Sequence, residues 1–371
     1  MERHNQDKKW ISVLVTDIHL SDDTVDTVVS VMSQAIKLAQ NLSIPIILAG
    51  DAFTERKSQT LKSLLAFKTI LDMAYGNEVH IFGIDGNHDK VDQSVSESYL
   101  SPFEHHPALT RVGNHGLEGM SDDGRYFLLD EEAKMLIYGL SHYDDESYAK
   151  YLREISADAD ERGGYTKILI SHKGIDGATS NGGEAVRSEL TPTRFHAFDR
   201  VYMGHYHNRS KLGNKIIYFG SAYQGWFDEN DEKGFALLGL DGEIEYIPSE
   251  FMKYIEMKIA LEGNYIRDID SAVKMLISEH PDDMKRIKLV GGTAEIRSVD
   301  IPRIKQQGIL VSTKDTSTGE VLGDVGADDV GFRYVEFNKQ TISEAFVDFV
   351  DEEMIPEEEV EYAIEVMNKI M

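Results

Sequence analysis

The chain has 371 residues, 41% hydrophobic and 28% charged, with no cysteine. It can bury a large core spread over two or three domains, but it can form no disulfide, thiolate zinc site, iron–sulfur cluster or cysteine nucleophile. Its 38 Lys and Arg stand against 65 Asp and Glu, a formal net charge of −27 that repels polyanions and argues against a free-standing, non-specific DNA binder.

No window approaches the roughly 18 consecutive apolar residues of a membrane helix, and residues 1–10 lack a signal-peptide core, so no membrane partner and a cytoplasmic location are expected. Through about residue 250, short apolar runs alternate with amphipathic stretches, the pattern of βα units. Residues 10–16 read as a buried strand, 22–40 as a helix with Val25, Val28, Val29, Met32 and Ile36 at helical spacing, and 44–49 as a second strand. A second helix is expected over 58–75, a third strand over 79–84, and further strands over 135–139, 167–171, 200–203 and 215–219. The runs 234–240 and 243–247 flank Asp241-Gly242, a hairpin turn signal.

Beyond residue 250 the texture changes. A strand over 255–260, a helix over 266–278, strands over 286–290 and 294–297 and a short helix over 301–307 predict a small α+β domain spanning 251–335. Within it the polar, Gly-containing stretch 313–329 reads as a loop or linker. Residues 336–371 form an acidic tail. From Ile342, two short amphipathic helices broken at Pro356 present Phe346, Phe349, Val350 and Met354, then Val360, Ile364 and Met367, among ten acids and one lysine. So short a pair cannot bury both stripes within itself, so the tail is expected to dock on a partner.

The chemistry sits at predicted strand ends. Asp17-Ile18-His19 follows the first strand, Gly50-Asp51 the second and Gly86-Asn87-His88-Asp89 the third; His172 and Gly204-His205-Tyr206-His207 end two later ones. In open α/β sheets, sites form beyond the carboxyl ends of the strands. Mixed carboxylate and imidazole ligands suit two divalent ions: Asp17, His19 and His207 for one, Asn87, His172 and His205 for the other, with Asp51 bridging. Two ions about 3.5–4 Å apart can activate a shared water near neutral pH and direct it at phosphorus. His88 is the candidate catalytic residue, contacting the phosphate or protonating the leaving oxygen. Without thiolate, this donor set suits Mn, Fe, Zn or Co, and affinity order alone does not choose among them. Arg56, Lys57, Lys90, Arg209 and Lys211, with Lys215, are candidate substrate contacts at the rim. The Gly-rich loop 172–194 could cover the site, and His105, His106, His142 and His196 read as structural or surface residues.

Taken together, these motifs over residues 17–207 resemble the calcineurin-like metallophosphoesterases, and within them the SbcD-type nuclease subunits of double-strand-break repair and recombination, particularly their phage versions. The resemblance implies a four-layered α/β core of two mixed sheets flanked by helices over 1–250, a DNA-contacting capping domain and a C-terminal helical segment. It also implies manganese-dependent exonuclease and endonuclease action on DNA, with Mg, Fe, Zn and Co as alternative metals. The expected assembly is a homodimer within a heterotetramer with an SbcC-type coiled-coil ATPase, docked through Phe346, Phe349, Val350, Val360, Ile364 and Met367, in the host cytoplasm if phage-encoded. Many family members carry Asp or His where Thr54 stands here, and a glycine where Ser21 stands. The rival readings are a phosphodiesterase for small nucleotides or phosphoproteins and a non-catalytic partner-binding scaffold. Thr54-Glu55-Arg56 in place of the phosphatase branch's Asp-Arg-Gly counts against the phosphoprotein reading, and a scaffold has no use for an intact ligand set.

Overall fold

In the computed structural model, residues 10–114, 126–230, 232–262 and 265–316 are described, together with the backbone of 321–322. The first half runs β1 (Trp10–Val15), α1 (Val25–Leu42), β2 (Ile46–Ala49), α2 (Leu61–Gly76), β3 (Ile81–Ile84), β4 (Leu109–Arg111), β5 (Tyr126–Asp130), β6 (Met135–Leu140), α3 (Asp145–Glu161) and β7 (Thr166–His172). There follow β8 (Arg200–Gly204), β9 (Ser210–Leu212), β10 (Ile216–Tyr218), β11 (Gly234–Gly239), β12 (Ile244–Pro248), β13 (Tyr254–Ala260), α4 (Tyr265–Glu279), β14 (Met284–Gly291), α5 (Thr293–Ser298), α6 (Ile301–Lys305), β15 (Leu310–Asp315) and β16 (Val321–Leu322).

The continuous apolar runs of the central strands are explained by burial on both faces. One six-stranded sheet has the order β12-β11-β1-β2-β3-β4, parallel from β1 to β4 and antiparallel across β1–β11–β12. A second has the order β5-β6-β7-β8-β10-β9, parallel from β6 through β10 with antiparallel edges. Side chains alternate between faces with period two. Val13, Val15, Ile46 and Leu48 join the core under α1 and α2, whereas Leu14, Ile47 and Ala49 meet Ile137, Ile168, Ile170 and Tyr202 between the sheets. Leu136, Tyr138, Leu169, Val201 and Met203 face the other way and pack with Tyr148, Leu152 and Ile155 of α3. The result is helix, sheet, sheet, helix: the four layers that the resemblance implies.

The chain divides into two units, Met1–Glu256 with Lys274–Arg286, and Met257–Val273 with Ile287–Met371. The second sheet-bearing region carries the strand order β13-β14-β15-β16 with the short helices α5 and α6. Two expectations fail here. Residues 294–297 are helical, within α5: Gly292 starts the turn and the Ile296 N–H donates to its carbonyl at 3.0 Å, with Ala and Glu favouring helix over strand. The stretch read as a linker from 313 is partly strand, since Thr313 pairs with Leu322 and Lys314 with Val321, the buried Val311 and Thr313 anchoring β15. Among the described residues no helix is long and apolar enough to cross a membrane. The tail over 336–371, with its docking residues, lies outside the described residues.

Candidate metal centre

Five parallel strands stop at one place. β1, β2 and β3 deliver Asp17, Asp51 and Asn87 from the first sheet, while β7 and β8 deliver His172 and His205 from the second. The backbone there is bent hard: Asp17, His19, Asp51 and His205 have φ of 52°, 42°, 51° and 89°, four of the seven non-glycine residues with positive φ among those described. Such conformations cost about 1–3 kcal/mol each and persist where the surroundings over-determine them. Here cross-strand bonds do so, with Asp17 N–H on the Gly50 carbonyl and His19 N–H on that of Asp51, both 3.1 Å.

Glycines in the motifs make room for ligands. A Cβ on Gly86 would stand 2.1 Å from Asp51 Oδ1, and one on Gly204 would stand 2.2 Å from Thr16 Oγ1 and 2.7 Å from His172 Nδ1. The side chains behind are tied down. Thr16 Oγ1 donates to Asp17 Oδ2 (2.7 Å), which also accepts the His205 N–H (3.0 Å), and His88 N–H donates to Asp51 Oδ1 (2.8 Å). The His172 Nδ1–H donates to the Ala49 carbonyl at 2.9 Å, which aims Nε2 at the site, 3.1 Å from Asp51 Oδ2, where it can ligate once it has lost any proton it holds.

The ligand atoms then fall into overlapping groups within 4.8 Å: Asp17, His19 and His207; His19, Asp51 and His88; Asp51, His172 and His205. Asn87 Oδ1 lies 2.8 Å from His205 Nδ1. Asp17 Oδ1 and His172 Nε2 are buried without any hydrogen-bond partner. Two such atoms, a carboxylate oxygen and a ring nitrogen 3.9 Å apart, are costly unless something positive, a proton or a metal ion, sits between them. The donor set thus fits divalent cations.

The electrostatics agree. Burial alone would push the Asp51 carboxyl up, but the imidazoles of His172, His19 and His88 hold it well below the carboxylate range. For Asp17, burial wins over His172 and His207 and raises it. Burial would also strip the proton from His172, yet Asp51 and Asp17 raise it to about 9. His205, buried and facing His172, drops to about 3. Without metal, one proton is thus held among two carboxylates and an imidazole.

The family pattern described as calcineurin-like phosphoesterase matches residues 13–209, which contain every one of these ligands. The chain belongs to the calcineurin-like phosphoesterases. These are metal-dependent phosphoesterases, and this chain is an enzyme of that kind. Two curated relatives, each named DNA double-strand break repair protein Mre11, come from Methanosarcina mazei and Methanosarcina acetivorans. They are 23% identical over 300 and 293 residues, covering 77% and 75% of this chain and 45% and 44% of their own. The chain therefore spans less than half the length of the curated relatives it matches. Among solved structures, the calcineurin-like phosphoesterase YfkN from Bacillus subtilis aligns at 12% identity and a TM-score of 0.36, over 65% of this chain and 93% of that one.

Within this phosphoesterase site, the structure gathers Asp17, His19, Asp51, Asn87, His172, His205 and His207. His88 stands beside them, its ring 4.9 Å from that of His19 and its Nδ1–H on the Thr54 carbonyl at 2.5 Å. Thr54 also donates its hydroxyl to the His19 carbonyl (2.7 Å), so the residue in the variant motif position links two site histidines. Arg56 is exposed and donates to His88 Nε2 at 3.2 Å; Lys57 and Lys211 are exposed.

One rim assignment needs correction, and two further basic side chains are engaged within the fold. Lys90 is 1% exposed: its Nζ donates to the Val95 carbonyl (2.9 Å) and Asn114 Oδ1 (3.2 Å) and sits 3.5 Å over the Tyr143 ring, out of reach of any substrate. Arg209 is half-buried, its guanidinium stacked 3.9 Å above Tyr246, and Lys215 is engaged with the His196 carbonyl. His106 pairs with Asp72, His196 with Asp160, and buried His142 bonds the His172 carbonyl. Sequence reading gave no role to Asp89 of the third motif, whose carboxylate accepts from Phe53 N–H and Gly86 N–H, and missed Asn181, whose side chain accepts the His207 N–H at 2.7 Å and ties the Gly-rich loop to the site. It also missed Glu229, 2.6 Å from His207 Nδ1, which lies outside every motif.

Proposed function

We propose that the chain is a DNA nuclease that hydrolyses phosphodiesters with two divalent ions, manganese foremost. The observation that carries this reading is the run of three overlapping ligand groups, linked through His19 and Asp51, with Asp17 Oδ1 and His172 Nε2 facing each other 3.9 Å apart and unbonded. Asp17, His19 and His207 would hold one ion and Asn87, His172 and His205 the other, with Asp51 serving both. Ions so held supply Lewis-acid activation of water and neutralise the phosphoryl oxygens.

The chain's own residues supply the rest. The Thr54 carbonyl fixes the His88 ring with Nδ1–H pointing inward, so Nε2 and the Arg56 guanidinium face outward together. That pair suits a phosphodiester: Arg56 would turn its N–H from His88 to a non-bridging oxygen, and the freed Nε2 would take a proton from solvent and pass it to the leaving oxygen. DNA as substrate is supported by the names of the Mre11 relatives. We extend the reading to exonuclease and endonuclease action, a homodimer, and a coiled-coil ATPase partner docked through the C-terminal tail in the cytoplasm.

The test is cleavage of linear duplex and single-stranded DNA with manganese, alongside bis(p-nitrophenyl) phosphate. Wild type should cut DNA only with metal, and Asp51→Asn should abolish both cutting and metal binding. Turnover of the small diester with no attack on DNA, even with the ATPase present, would replace this reading with a small-substrate phosphodiesterase.

A further inference from the structure

Resting on the two-metal reading, we propose that Glu229 is a positioning residue whose carboxylate fixes the tautomer and aim of His207. Glu229 lies in the loop before β11, beyond the residues 13–209 that match the family pattern. Its side chain is buried, with Oε1 2.6 Å from His207 Nδ1. A carboxylate only accepts, so Nδ1 carries the hydrogen and Nε2 keeps its lone pair. That Nε2 stands 3.0 Å from His19 Nε2 and 3.7 Å from Asp17 Oδ1, inside the first ligand group.

The other carboxylate oxygen is fully employed. Oε2 accepts the Gly225 N–H at 3.2 Å and pairs with Lys233 Nζ at 3.0 Å. Lys233 is itself 1% exposed and donates to the His207 carbonyl at 2.6 Å and to Asn208 Oδ1 at 3.3 Å. His207 is thus gripped twice, its ring by Glu229 and its carbonyl by Lys233. Because Lys233 neutralises Glu229 and both oxygens are occupied, Glu229 orients a ligand rather than acting as one. The contrast with His172 is instructive: that ring is oriented by a neutral carbonyl, whereas the outer nitrogen of His207 meets a carboxylate.

The experiment uses the full chain, stripped of metal and titrated with manganese alone by calorimetry and electron paramagnetic resonance. Wild type should bind two ions. Glu229→Gln, of the same shape, should weaken one of them about 10–100-fold and leave the other unchanged. Histidine ¹⁵N spectra of the metal-free protein should show His207 protonated at Nδ1 in wild type and mixed between its nitrogens in Glu229→Gln. Lys233→Met, which removes the ion pair but keeps the carboxylate on His207, should lower Tm while weakening manganese less than Glu229→Gln does. Wild-type affinity for both ions in Glu229→Gln would reduce Glu229 to a partner for a buried lysine and overturn the proposal. So would a wild-type His207 that is neutral and protonated at Nε2 alone, a measurement that needs no variant to fold. A wild type that binds no manganese would overturn the two-metal reading itself and this proposal with it.

Discussion

At the scale of single residues, the proton held by His172 links the metal centre to pH. A protonated imidazole cannot ligate, and this one keeps its proton up to about 9 in the metal-free site because Asp51 and Asp17 face it. Metal must displace that proton, so affinity should tighten about tenfold per pH unit from 7 to 9 and then level off. Manganese titrations at three pH values check it, and affinity independent of pH would show that the site holds no such proton. Stability of the metal-free protein runs the other way. A histidine raised above its ordinary 6.5 stabilises the fold fully below that pH, and the contribution is lost as pH rises through about 9. His207, also raised by Glu229 and Asp17 against burial, acts in the same direction. The Tm measured in chelator should therefore fall from pH 7 to 9, and His172→Asn should flatten the decline.

The same residues explain why the site was legible. Candidate metal ligands are few residue types, and the motifs write them contiguously at strand ends, so Asp17, His19, Asp51, Asn87, His172, His205 and His207, which the structure brings together, could be singled out without coordinates. The motif glycines are legible for a physical reason that only the structure gives. Gly86→Ala would drive a methyl group to 2.1 Å from Asp51 Oδ1 and 2.3 Å from the Asp51 backbone nitrogen, which neither side can yield. We expect it to cost about 1–3 kcal/mol in stability and to weaken manganese binding more than stability loss alone explains. Thermal melts with and without metal separate the two, and a larger loss of Tm without metal than with it would count against the second effect.

Among elements, what sequence reading missed had signals of a weaker kind. The helix α3 carries Tyr148, Leu152, Ile155 and Ala159 on its buried face, and Asp144 caps it by accepting the Ser147 N–H at 2.9 Å. Its first turn and polar face are so acidic that the apolar stripe is easily passed over. α5 has one buried-type branched residue in six and is held by backbone geometry instead. Lys90 failed differently: a lysine after a ligand motif looks like a substrate contact, and only tertiary packing reveals the pocket that takes it. In that pocket Arg111 pairs with Asp85 at 2.9 Å, Asn114 bonds the same carboxylate, and Lys90 reaches Asn114 beneath Tyr143. Burial lowers Lys90 to about 8 even with Asp85 nearby. Lys90→Met should cost about 1–3 kcal/mol by stranding the Val95 carbonyl and leaving Asn114 Oδ1 with the Tyr143 hydroxyl alone, yet leave DNA affinity unchanged. Denaturant melts and a binding titration together decide it, since weaker DNA binding by a fully folded variant would return Lys90 to the rim.

For the whole molecule, the proposed nuclease function raises the question of how a chain of net charge −27 would meet a polyanion. The structure thins the basic rim rather than thickening it, because Lys90 is buried, Arg209 is stacked on Tyr246 and Lys215 is bonded to His196. Arg56, Lys57 and Lys211 remain exposed, and Arg56 is the one in contact with His88. Affinity for duplex DNA falls with salt at a slope of about −0.9 per phosphate neutralised, so three contacts give a log–log slope no steeper than about −3. Between 50 and 200 mM salt the isolated chain should lose less than about a hundredfold in affinity, against the roughly 10³–10⁵ lost by proteins with six to ten phosphate contacts. Arg56→Ala should make the slope shallower by about one. Fluorescence anisotropy with a labelled duplex and metal replaced by calcium measures both. A slope of about −6 would mean a basic surface beyond these three residues, whereas a shallow slope with weak binding assigns the missing phosphate contacts to a partner that brings the DNA.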